Sequence, residues 1–471
     1  MLRRPLRVPR RLAGAPALAA LLALAPVQRE APPRPAAGTE TLVEPPVLTS
    51  RNGVLRAELR VELVRTQLGG RPVTLRTYDG RYLPPTLRLR PGDTLRLRLL
   101  NAIEQSTNVH YHGLNVSPRR NSDDVFLHIR PGEAFEYEVV IPRDHPPGLF
   151  WYHSHAHTLS EYQVMSGMSG ALIVEGLLDP LPELRGVRER VLLLKDIQVA
   201  HGDTVPRDID SNAGTTRTVN GLVAPTIAIQ PGETQLWRIG NIGADIFYRL
   251  RLDGHSFHLL ARDGNRQSAL VAHEALMLPP GARVEVLVRG GPTGVYQLRT
   301  LGYDTGQMGD QYPEVALATL VSQGSARTPI ALPATLPPVV DLRTRPVTRR
   351  REIVFTESAD GKTFFIDGKP FDPDRVDMET TLGALEEWTV RNDSEEDHVF
   401  HIHQLDYQVV ENDGQPVPFT GYQDVKSVSP RGRIKLLIPF TNPVIPGTFV
   451  YHCHILSHED NGMMATIVVR P

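Results

Sequence analysis

The sequence predicts an all-β protein made of three β-sandwich domains. Short segments in which apolar and polar residues alternate, such as TLRLRPGDTLRLRLLN (86–101) and RVEVLVRG (283–290), are typical of half-buried strands, and Pro-Gly or Asp-Gly pairs separate them. No window shows a sustained helical period. At 471 residues the chain is also too long for one ordinary hydrophobic core, so roughly two to four domains are expected.

A repeated unit sets the expected number of domains. The segment PPTLRLRPGDTLRLRLLN (84–101) returns as APTIAIQPGETQLWRIGN (224–241), and METTLGALEEWTVRN (378–392) is a weaker third copy. Each copy predicts a strand, a turn and a strand, ends at an asparagine, and precedes a strand that carries histidines or their counterparts. The period of about 130 to 150 residues is much longer than a β-propeller blade, so three sandwiches are predicted rather than one propeller.

The expected boundaries follow from composition. PLPELRG (180–186) marks the end of the first unit, and the proline-rich stretch PIALPATLPPVVDLRTRP (329–346) is typical of an interdomain linker. The predicted organisation is a leader over residues 1–37, domain 1 over 38–182, domain 2 over 183–328, a linker over 329–348 and domain 3 over 349–471.

The first residues are typical of an export signal. MLRRPLRVPRR is basic, and the apolar stretch LAGAPALAALLALAPV that follows is too short and too interrupted by proline to predict a membrane span. We therefore expect export to the periplasm or the extracellular space without stable membrane insertion, and the arginine pairs Arg3-Arg4 and Arg10-Arg11 are compatible with the twin-arginine route. A net charge of −2 argues against nucleic acid as a partner.

One short segment, YHCHILSHEDNGMM (451–464), contains the only cysteine of the chain. An exported protein with a single cysteine cannot form an internal disulfide, and a free thiol in an oxidising compartment is a liability unless a metal occupies it. Cys453 stands close to His454, His458 and Met463 in the chain. Thiolate, imidazole and a weak thioether are the ligands of a blue electron-transfer copper, whereas the alternative is a buried cysteine among chance histidines.

The histidine pattern favours a metal site. Ten of the seventeen histidines fall into four motifs, HYH (110–112), HSH (153–155), HVFHIH (398–403) and HCHILSH (452–458). One His-x-His motif alone is a weak signal, because core and surface histidines produce such pairs by chance. Four clusters in the first and third repeats predict a shared site between domains 1 and 3.

Strand geometry divides these side chains between two centres. Neighbouring residues of a strand face opposite sides, so the histidines on either side of Cys453 point away from it. In HVFHIH, His398 faces away from His401 and His403, and hence His398 can meet Cys453 at one metal that His458 helps to close. The remaining eight histidines can converge on a second centre, and neutral imidazoles in that number suit copper, zinc or iron.

With these motifs the sequence resembles the multicopper oxidases, in their bacterial laccase-like branch, over roughly residues 45 to 471. HYHG, WYHSH, HxxHxH and HCHxxxHxxxxM all occur in the order typical of that family. HVFHIHQ differs from the commoner HPxHxHG at Val399 and Gln404, which alters the surroundings of the site but removes no ligand. The resemblance implies three cupredoxin-like Greek-key β-sandwich domains, and we expect a monomer.

The resemblance also implies four copper ions, one of type 1, one of type 2 and two of type 3. The implied ligands are, for type 1, His398, Cys453, His458 and the axial Met463; for type 2, His110 and His401; and for the type 3 pair, His112, His153 and His454 at one copper and His155, His403 and His452 at the other. The implied reaction couples four one-electron oxidations of a small reducing substrate, with electrons entering through Cys453, to the reduction of dioxygen to water.

Dioxygen reduction consumes protons, and acidic residues near the motifs are candidates to deliver them. Glu459 follows the predicted ligand His458 and matches the acid proposed to feed protons to the oxygen cluster in bacterial relatives. Asp123 or Asp124, in NSDDVF, falls where the family has a second acid near the type 2 copper. The alternative for each of the three is a solvated surface carboxylate.

The electron donor is the least constrained feature. We expect phenols and aromatic amines, with dioxygen as the acceptor. The alternative is a metallo-oxidase that acts on Cu(I) or Fe(II) in copper tolerance: Asp424 and Asp460 could form an acidic docking patch, although the chain has only eight methionines and no methionine-rich insert. A third possibility, a non-enzymatic structural protein of the cell envelope, is disfavoured because such relatives lose the ligands and none is missing here.

Overall fold

Strands account for almost all of the regular structure in the computed structural model, which describes residues 40–199, 202–207, 209–210, 212 and 214–471. The prediction of an all-β protein is confirmed. The predicted leader, residues 1–37, lies outside the described residues. Among those that are described, no helix is both long enough and apolar enough to cross a membrane.

The first sandwich consists of two sheets and one short helix. In chain order its elements are β1 (Val47–Thr49), β2 (Val54–Leu68), β3 (Arg71–Tyr78), β4 (Thr86–Leu89), β5 (Thr94–Asn101), β6 (His110–His112), β7 (Ala134–Val140), β8 (Gly148–His153), α1 (Ser160–Ser166) and β9 (Ser169–Val174). One sheet has the strand order β3-β2-β5-β7 and the other has the order β1-β4-β9-β8-β6.

The second sandwich follows a 3-10 turn at Pro182–Leu184. Its strands are β10 (Arg188–Ile197), β11 (Thr216–Val219), β12 (Thr226–Ile229), β13 (Thr234–Asn241), β14 (Tyr248–Leu252), β15 (Phe257–Arg262), β16 (Asn265–His273), β17 (Ala275–Leu278), β18 (Arg283–Arg289), β19 (Gly294–Leu301), β20 (Tyr303–Asp304), β21 (Gln311–Tyr312) and β22 (Val315–Ser322). The sheets have the orders β11-β10-β13-β18-β15-β16 and β12-β22-β19-β14-β17, and β20 pairs with β21 in a separate hairpin.

The third sandwich follows a second 3-10 turn at Leu342–Thr344. Its elements are β23 (Arg349–Glu357), β24 (Phe364–Ile366), β25 (Met378–Thr381), β26 (Ala384–Asn392), β27 (His398–Ile402), β28 (Gln408–Asn412), β29 (Gln415–Pro416), β30 (Val425–Val428), β31 (Arg433–Phe440), β32 (Gly447–Cys453), α2 (Leu456–Asp460) and β33 (Met464–Arg470). Its sheets have the orders β24-β23-β26-β31-β28-β29 and β25-β33-β32-β27-β30.

The three sandwiches share one topology. In the first sheet of each, a parallel pair is followed by an antiparallel strand: β2-β5-β7, β10-β13-β18 and β23-β26-β31. In the second sheet the equivalent series are β4-β9-β8-β6, β12-β22-β19-β14 and β25-β33-β32-β27. In the middle of each sandwich consecutive strands alternate between the two sheets, as β4 to β8 do in the first, whereas hairpin neighbours such as β2 and β3 or β8 and β9 stay in one sheet. The repeat seen in the sequence is therefore a repeat of the fold. The domain boundaries given above stay predictions.

The asparagine that ends each copy of the repeat has a structural reason. Asn101, Asn241 and Asn392 are all completely buried at the ends of β5, β13 and β26. Each side-chain amide donates to main-chain oxygens on two separate segments, and its oxygen accepts the main-chain N–H two residues further on. Aspartate would lose the donor and leucine would leave the main-chain groups unpaired, so the position requires an amide.

Candidate metal centres

The predicted ligands lie on or just beyond strand ends of domains 1 and 3. In domain 1, β6 and β8 run antiparallel with His110 opposite His153, so HYH and HSH present histidines on one face. In domain 3, β27 and β32 run antiparallel with His401 opposite His452. Cys453, the next residue, therefore faces the other side of that sheet, as the alternation of side chains requires.

Eight imidazoles meet between the two domains, and none of them is more than 2% exposed. Nδ1 of His112 is 3.0 Å from Nε2 of His454, and Nε2 of His155 is 3.5 Å from Nε2 of His452, so both contacts join domain 1 to domain 3. The nitrogens form three groups in which all atoms lie within 4.8 Å of one another: His110, His112 and His401; His112, His153 and His454; and His155, His403 and His452.

These imidazoles are held neutral. Burial lowers the pKa of all eight, and neighbouring imidazoles lower it further. The pKa of His153, for example, falls to about 3. A neutral imidazole keeps a lone pair on one ring nitrogen, and this is the form that binds a metal ion.

Several of these buried nitrogens lack a protein partner. Nε2 of His110, His153 and His401 makes no hydrogen bond within the described residues. The other ring nitrogen is fixed: Nδ1 of His110 lies 3.0 Å from Oδ1 of Asp123, and Nδ1 of His401 donates to the main-chain oxygen of Asp424 at 2.8 Å. A ring held at one nitrogen and free at the other is typical of a metal ligand, so the cluster fits copper ions.

Three other predicted ligands form a separate group on the opposite face of the domain 3 sheet. Nδ1 of His398 is 3.0 Å from Nδ1 of His458, and Sγ of Cys453 lies 3.8 Å and 3.7 Å from these two nitrogens. All three side chains are buried, and His458 is the most exposed of them at 7%. Two imidazole nitrogens and one sulfur at the corners of a small triangle fit the trigonal site of a blue copper.

Sγ of Cys453 is buried and accepts a main-chain hydrogen bond. The main-chain N–H of Val399 donates to Sγ of Cys453 at 3.3 Å, and burial raises the pKa of the thiol far above its ordinary value. A buried thiol of this kind becomes a thiolate when a metal ion binds it. Met463 is also buried, and its main chain bonds to Cys453 and to His458, which brings the predicted axial residue beside the group.

Nδ1 of His398 and of His458 faces the group, and two side chains that the sequence analysis did not single out contact the other ring nitrogen, Nε2. Oγ of Ser394 is 2.8 Å from Nε2 of His398, and Oε1 of Glu396 is 3.4 Å from Nε2 of His458. Both residues lie in the loop between β26 and β27, where serine and glutamate are ordinary. No local pattern in the sequence distinguishes them from solvated loop residues.

The two candidate aspartates have different surroundings. Asp123 is 1% exposed and lies against His110, and Gln404 donates a side-chain hydrogen bond to it. Burial raises the pKa of Asp123 to about 8. Asp124 is only half-buried, and its carboxylate accepts a main-chain N–H of its own loop. The geometry therefore favours Asp123 as the acid beside the cluster.

Glu459 reaches the same cluster from α2. Its carboxyl is completely buried and lies between His155 and His452. Burial, reinforced by the neighbouring Asp460, raises the pKa of Glu459 well above its ordinary value. The interpretation of this residue as a solvated surface carboxylate is wrong.

The acidic docking patch suggested for Asp424 and Asp460 is also wrong. Asp424 is completely buried and forms a bidentate ion pair with Arg283 of β18, with both nitrogen–oxygen distances at 2.7 Å. The two carboxylate oxygens of Asp460 accept the main-chain N–H groups of Ser160 and Glu161 at the start of α1. Asp424 is therefore inaccessible to a metal ion in solution, and the half-buried Asp460 is engaged by two main-chain N–H groups, so the two do not form a surface patch.

Comparison with known proteins identifies the family. Three family models, each described as multicopper oxidase, match residues 61–178, 189–325 and 344–471. Among curated proteins, the cell division protein FtsP of Edwardsiella tarda is 29% identical over 448 residues, which cover 91% of this chain and 92% of the relative.

Two solved structures share the whole three-domain architecture. A multicopper oxidase from Campylobacter jejuni, described as a metallo-oxidase, has 27% identity and a TM-score of 0.82, with 93% of this chain and 96% of that chain covered. A laccase-like multicopper oxidase, CueO, from Ochrobactrum sp. has 29% identity and a TM-score of 0.78, with coverage of 91% and 100%. The prediction of three cupredoxin-like domains is thereby confirmed. The family models span most of the chain, and the histidine clusters fit the metal that this family binds: the chain belongs to the multicopper oxidase family.

Proposed function

We propose that this chain is an oxidase with four copper ions. His398, Cys453, His458 and the axial Met463 hold the type 1 copper, and the eight-histidine cluster holds the type 2 copper and the type 3 pair. Bound copper would supply the one-electron chemistry, in which four electrons from a reducing substrate, together with four protons, convert dioxygen to two waters. Dioxygen and a small reductant are the partners that this reaction needs.

The covalent connection between the two centres supports this proposal most directly. Cys453 belongs to the sulfur-containing group, while its chain neighbours His452 and His454 belong to the histidine cluster. A short path of covalent bonds therefore runs from the sulfur to the imidazoles. A copper store has no use for such a path, whereas an oxidase needs it to move electrons from the substrate side to the oxygen side.

Protons must reach a cluster whose imidazoles are all buried, so side chains have to deliver them. We propose Glu459 and Asp123 for this role, because each lies against histidines of the cluster. A buried carboxyl that can bind and release a proton next to the reacting oxygen is the usual form of a general acid. Asp124, which stays in its own loop, is not required.

For the electron donor we propose phenols and aromatic amines first. Oxidation of a phenol by one electron releases its hydroxyl proton and requires only that the ring approach the edge of His458, the most exposed member of its group. The relative from Ochrobactrum is described as having oxidase activity towards lignin model compounds, which supports this class. The chain also lacks the methionine-rich insert expected of a cuprous oxidase.

A metal ion is the second candidate donor, because one observation favours it. Glu396 lies 3.4 Å from His458, and burial together with the neighbouring Glu357 raises the pKa of Glu396 well above its ordinary value. A buried carboxyl destabilised as an anion in this way favours a bound positive charge, and a cation such as Fe(II) that docks there would supply it. The relative from Campylobacter is described as a metallo-oxidase, in line with such a site.

Copper analysis tests the core of the proposal. After reconstitution we expect about four coppers per chain, an intense blue absorption from the thiolate and a near-ultraviolet shoulder from the paired coppers, because twelve ligand positions are filled by suitable residues. One copper or fewer per chain, or mainly zinc, would contradict it. That result would favour a structural role of the kind suggested by the name of the cell division relative.

Steady-state rates for a phenol, an aromatic amine, Cu(I) and Fe(II), measured side by side, separate the two donor classes. If metal ions dock at Glu396, Glu396→Gln should slow their oxidation strongly, whereas phenol and amine rates should change little because the amide oxygen of glutamine can still accept from Nε2 of His458. Glu395→Gln is a matched control, because Glu395 pairs with Arg431 at the surface and not with a copper ligand. If Glu396→Gln leaves the metal-ion rates unchanged, the metallo-oxidase candidate loses its support.

We also propose that the chain is exported. A leader over residues 1–37 would direct the chain to the periplasm or the extracellular space, and copper in the type 1 group would protect the single thiol there. The mass of the mature protein purified from its natural host tests this, because removal of the leader shortens the chain. A protein that keeps its first 37 residues would contradict it.

A further inference from the structure

Domain 2 supplies none of the predicted copper ligands, yet one of its side chains binds an aspartate that lies against the histidine cluster. Arg283, the first residue of β18, is completely buried, and arginine is almost never fully buried unless it is paired. Its two terminal nitrogens donate to the two oxygens of Asp424, each at 2.7 Å. It also donates to the main-chain oxygens of Leu149 and Gly281. One arginine thus contacts all three domains.

Asp424 in turn contacts two imidazoles of the cluster. Its Oδ1 lies 3.3 Å from Nε2 of His112, and its main-chain oxygen accepts the Nδ1–H of His401 at 2.8 Å. When Nε2–H of His112 donates to the carboxylate of Asp424, the lone pair of the neutral His112 ring is on Nδ1. That nitrogen is the one that lies 3.0 Å from Nε2 of His454, inside the cluster.

Two glycines leave room for this arrangement. Gly113, the last residue of the HYHG motif, has a φ of +83°, and a Cβ atom there would lie 2.4 Å from Arg283 and 2.5 Å from Asp424. The glycine of the motif is therefore explained by the ion pair behind it. Gly281 lies against the ring of His454, where a Cβ atom would be 3.1 Å from the ring atoms.

We propose that Arg283 is a positioning residue for the three-copper cluster. Through Asp424 it sets which nitrogen His112 offers to a type 3 copper, and it fixes the orientation of His401 at the type 2 copper. The inference rests on the proposed function, because it uses the copper assignments made there. The guanidinium is charged at every pH that a protein meets, and its fork matches both carboxylate oxygens. Without it, Asp424 is free to turn away from His112.

Domain 2 also contains a matched control. Arg238 in β13 is 2% exposed and pairs with the buried Glu285 and with Glu189. Within the described residues, none of the hydrogen bonds of these three side chains reaches a histidine of the cluster. Replacing either arginine by methionine removes a buried guanidinium from the same sheet, but only Arg283 donates to Asp424 and so belongs to the hydrogen-bond path to His112.

The test compares Arg283→Met with Arg238→Met after reconstitution with copper. The blue absorption reports the type 1 copper and thereby the fold of domain 3, while the near-ultraviolet band and the copper content report the cluster. For Arg283→Met we expect a retained blue band and a weakened near-ultraviolet band. We also expect cluster copper to pass to a chelator faster than in the wild type, by about the 10–100-fold that loss of such a hydrogen-bond partner typically costs in metal affinity. For Arg238→Met we expect wild-type behaviour in all three measurements.

A second pair of variants covers a failure of Arg283→Met to fold. Arg283→Lys keeps the charge but cannot hold both oxygens, and Asp424→Asn keeps the shape but removes the charge that Arg283 holds, so both should release cluster copper faster than the wild type. Wild-type release rates in both variants, or equal behaviour of Arg283→Met and Arg238→Met, would overturn this inference but leave the proposed function standing. A wild-type chain that binds no copper would overturn the proposed function and this inference with it.

Discussion

Oε2 of Glu459 lies 3.1 Å from Nδ1 of His452, and both side chains are completely buried. The other oxygen of the carboxyl is 3.6 Å from Nε2 of His155. Glu459 therefore lies against two of the three imidazoles in one group of the cluster. We therefore propose Glu459 ahead of Asp123 as the side chain that passes a proton to the oxygen that the cluster would reduce.

Glu459→Gln should slow turnover on the order of tenfold or more, because glutamine keeps the shape of the side chain but cannot relay a proton. Copper content and the blue absorption should not change, since no ligand is altered. Stopped-flow reoxidation of the fully reduced variant by dioxygen, compared with anaerobic reduction of its type 1 copper, locates the slow step. If both steps run at the wild-type speed, Glu459 has no part in proton delivery and Asp123 becomes the leading candidate.

The two adjacent aspartates provide an internal comparison at the other side of the cluster. Asp123→Asn should weaken retention of the type 2 copper or slow turnover about 10–100-fold, because asparagine loses the negative charge and one of the two oxygens that face Nδ1 of His110. Asp124→Asn should stay within about twofold of the wild type, since the hydrogen bond of its carboxylate, within the part of the chain that the structure describes, goes to Phe126 of the same loop. Copper retention against a chelator and steady-state rates check both. Equal effects of the two substitutions would show that the buried contact with His110 does not matter.

The division of the candidate ligands into two groups could be predicted, because it depends on the alternation of side chains along single strands. Alternation along β32 is sufficient to direct Cys453 to one face and its neighbours His452 and His454 to the other, and the same rule separates His398 from His401. The repeat predicted the strand–turn–strand units for the same reason. Such features depend only on residues that are close in the chain.

Contacts between domains could not be predicted in this way. Asp424 precedes β30 in a loop, where a carboxylate is normally solvated, and its burial depends on an arginine 141 residues earlier in the chain. Arg283 itself begins RVEVLVR, an alternating strand in which a charged residue predicts an exposed position. Glu396 is similar, because only the approach of His458 from α2 distinguishes it from a surface glutamate.

Cys453→Ser should separate the two centres. A serine hydroxyl is a poor copper ligand, so the blue absorption and substrate oxidation should both disappear, and the copper content should fall by about one per chain. The near-ultraviolet band should remain, because the eight imidazoles are untouched. Absorption spectra and metal analysis of the reconstituted variant check this. Substantial turnover in Cys453→Ser would mean that electrons enter by a different route.

The last prediction concerns Val399, which replaces the proline commoner in the family motif. Its main-chain N–H donates to Sγ of Cys453 at 3.3 Å, and a proline at this position has no N–H to donate. A hydrogen bond to the sulfur draws electron density away from it, and hydrogen bonding around this sulfur is one of the features that tune the reduction potential of a blue copper. Weaker donation from sulfur to copper favours the reduced state.

Val399→Pro should therefore lower the reduction potential of the type 1 copper while it keeps the blue colour, since all ligands remain. Val399→Ala keeps the N–H and is the matched control, with a potential expected close to that of the wild type. A redox titration followed at the blue band measures both, and a change of about 60 mV would alter a one-electron equilibrium tenfold and with it the range of phenols that react. An unchanged or raised potential in Val399→Pro, or equal shifts in the two variants, would mean that the N–H of Val399 does not tune the sulfur.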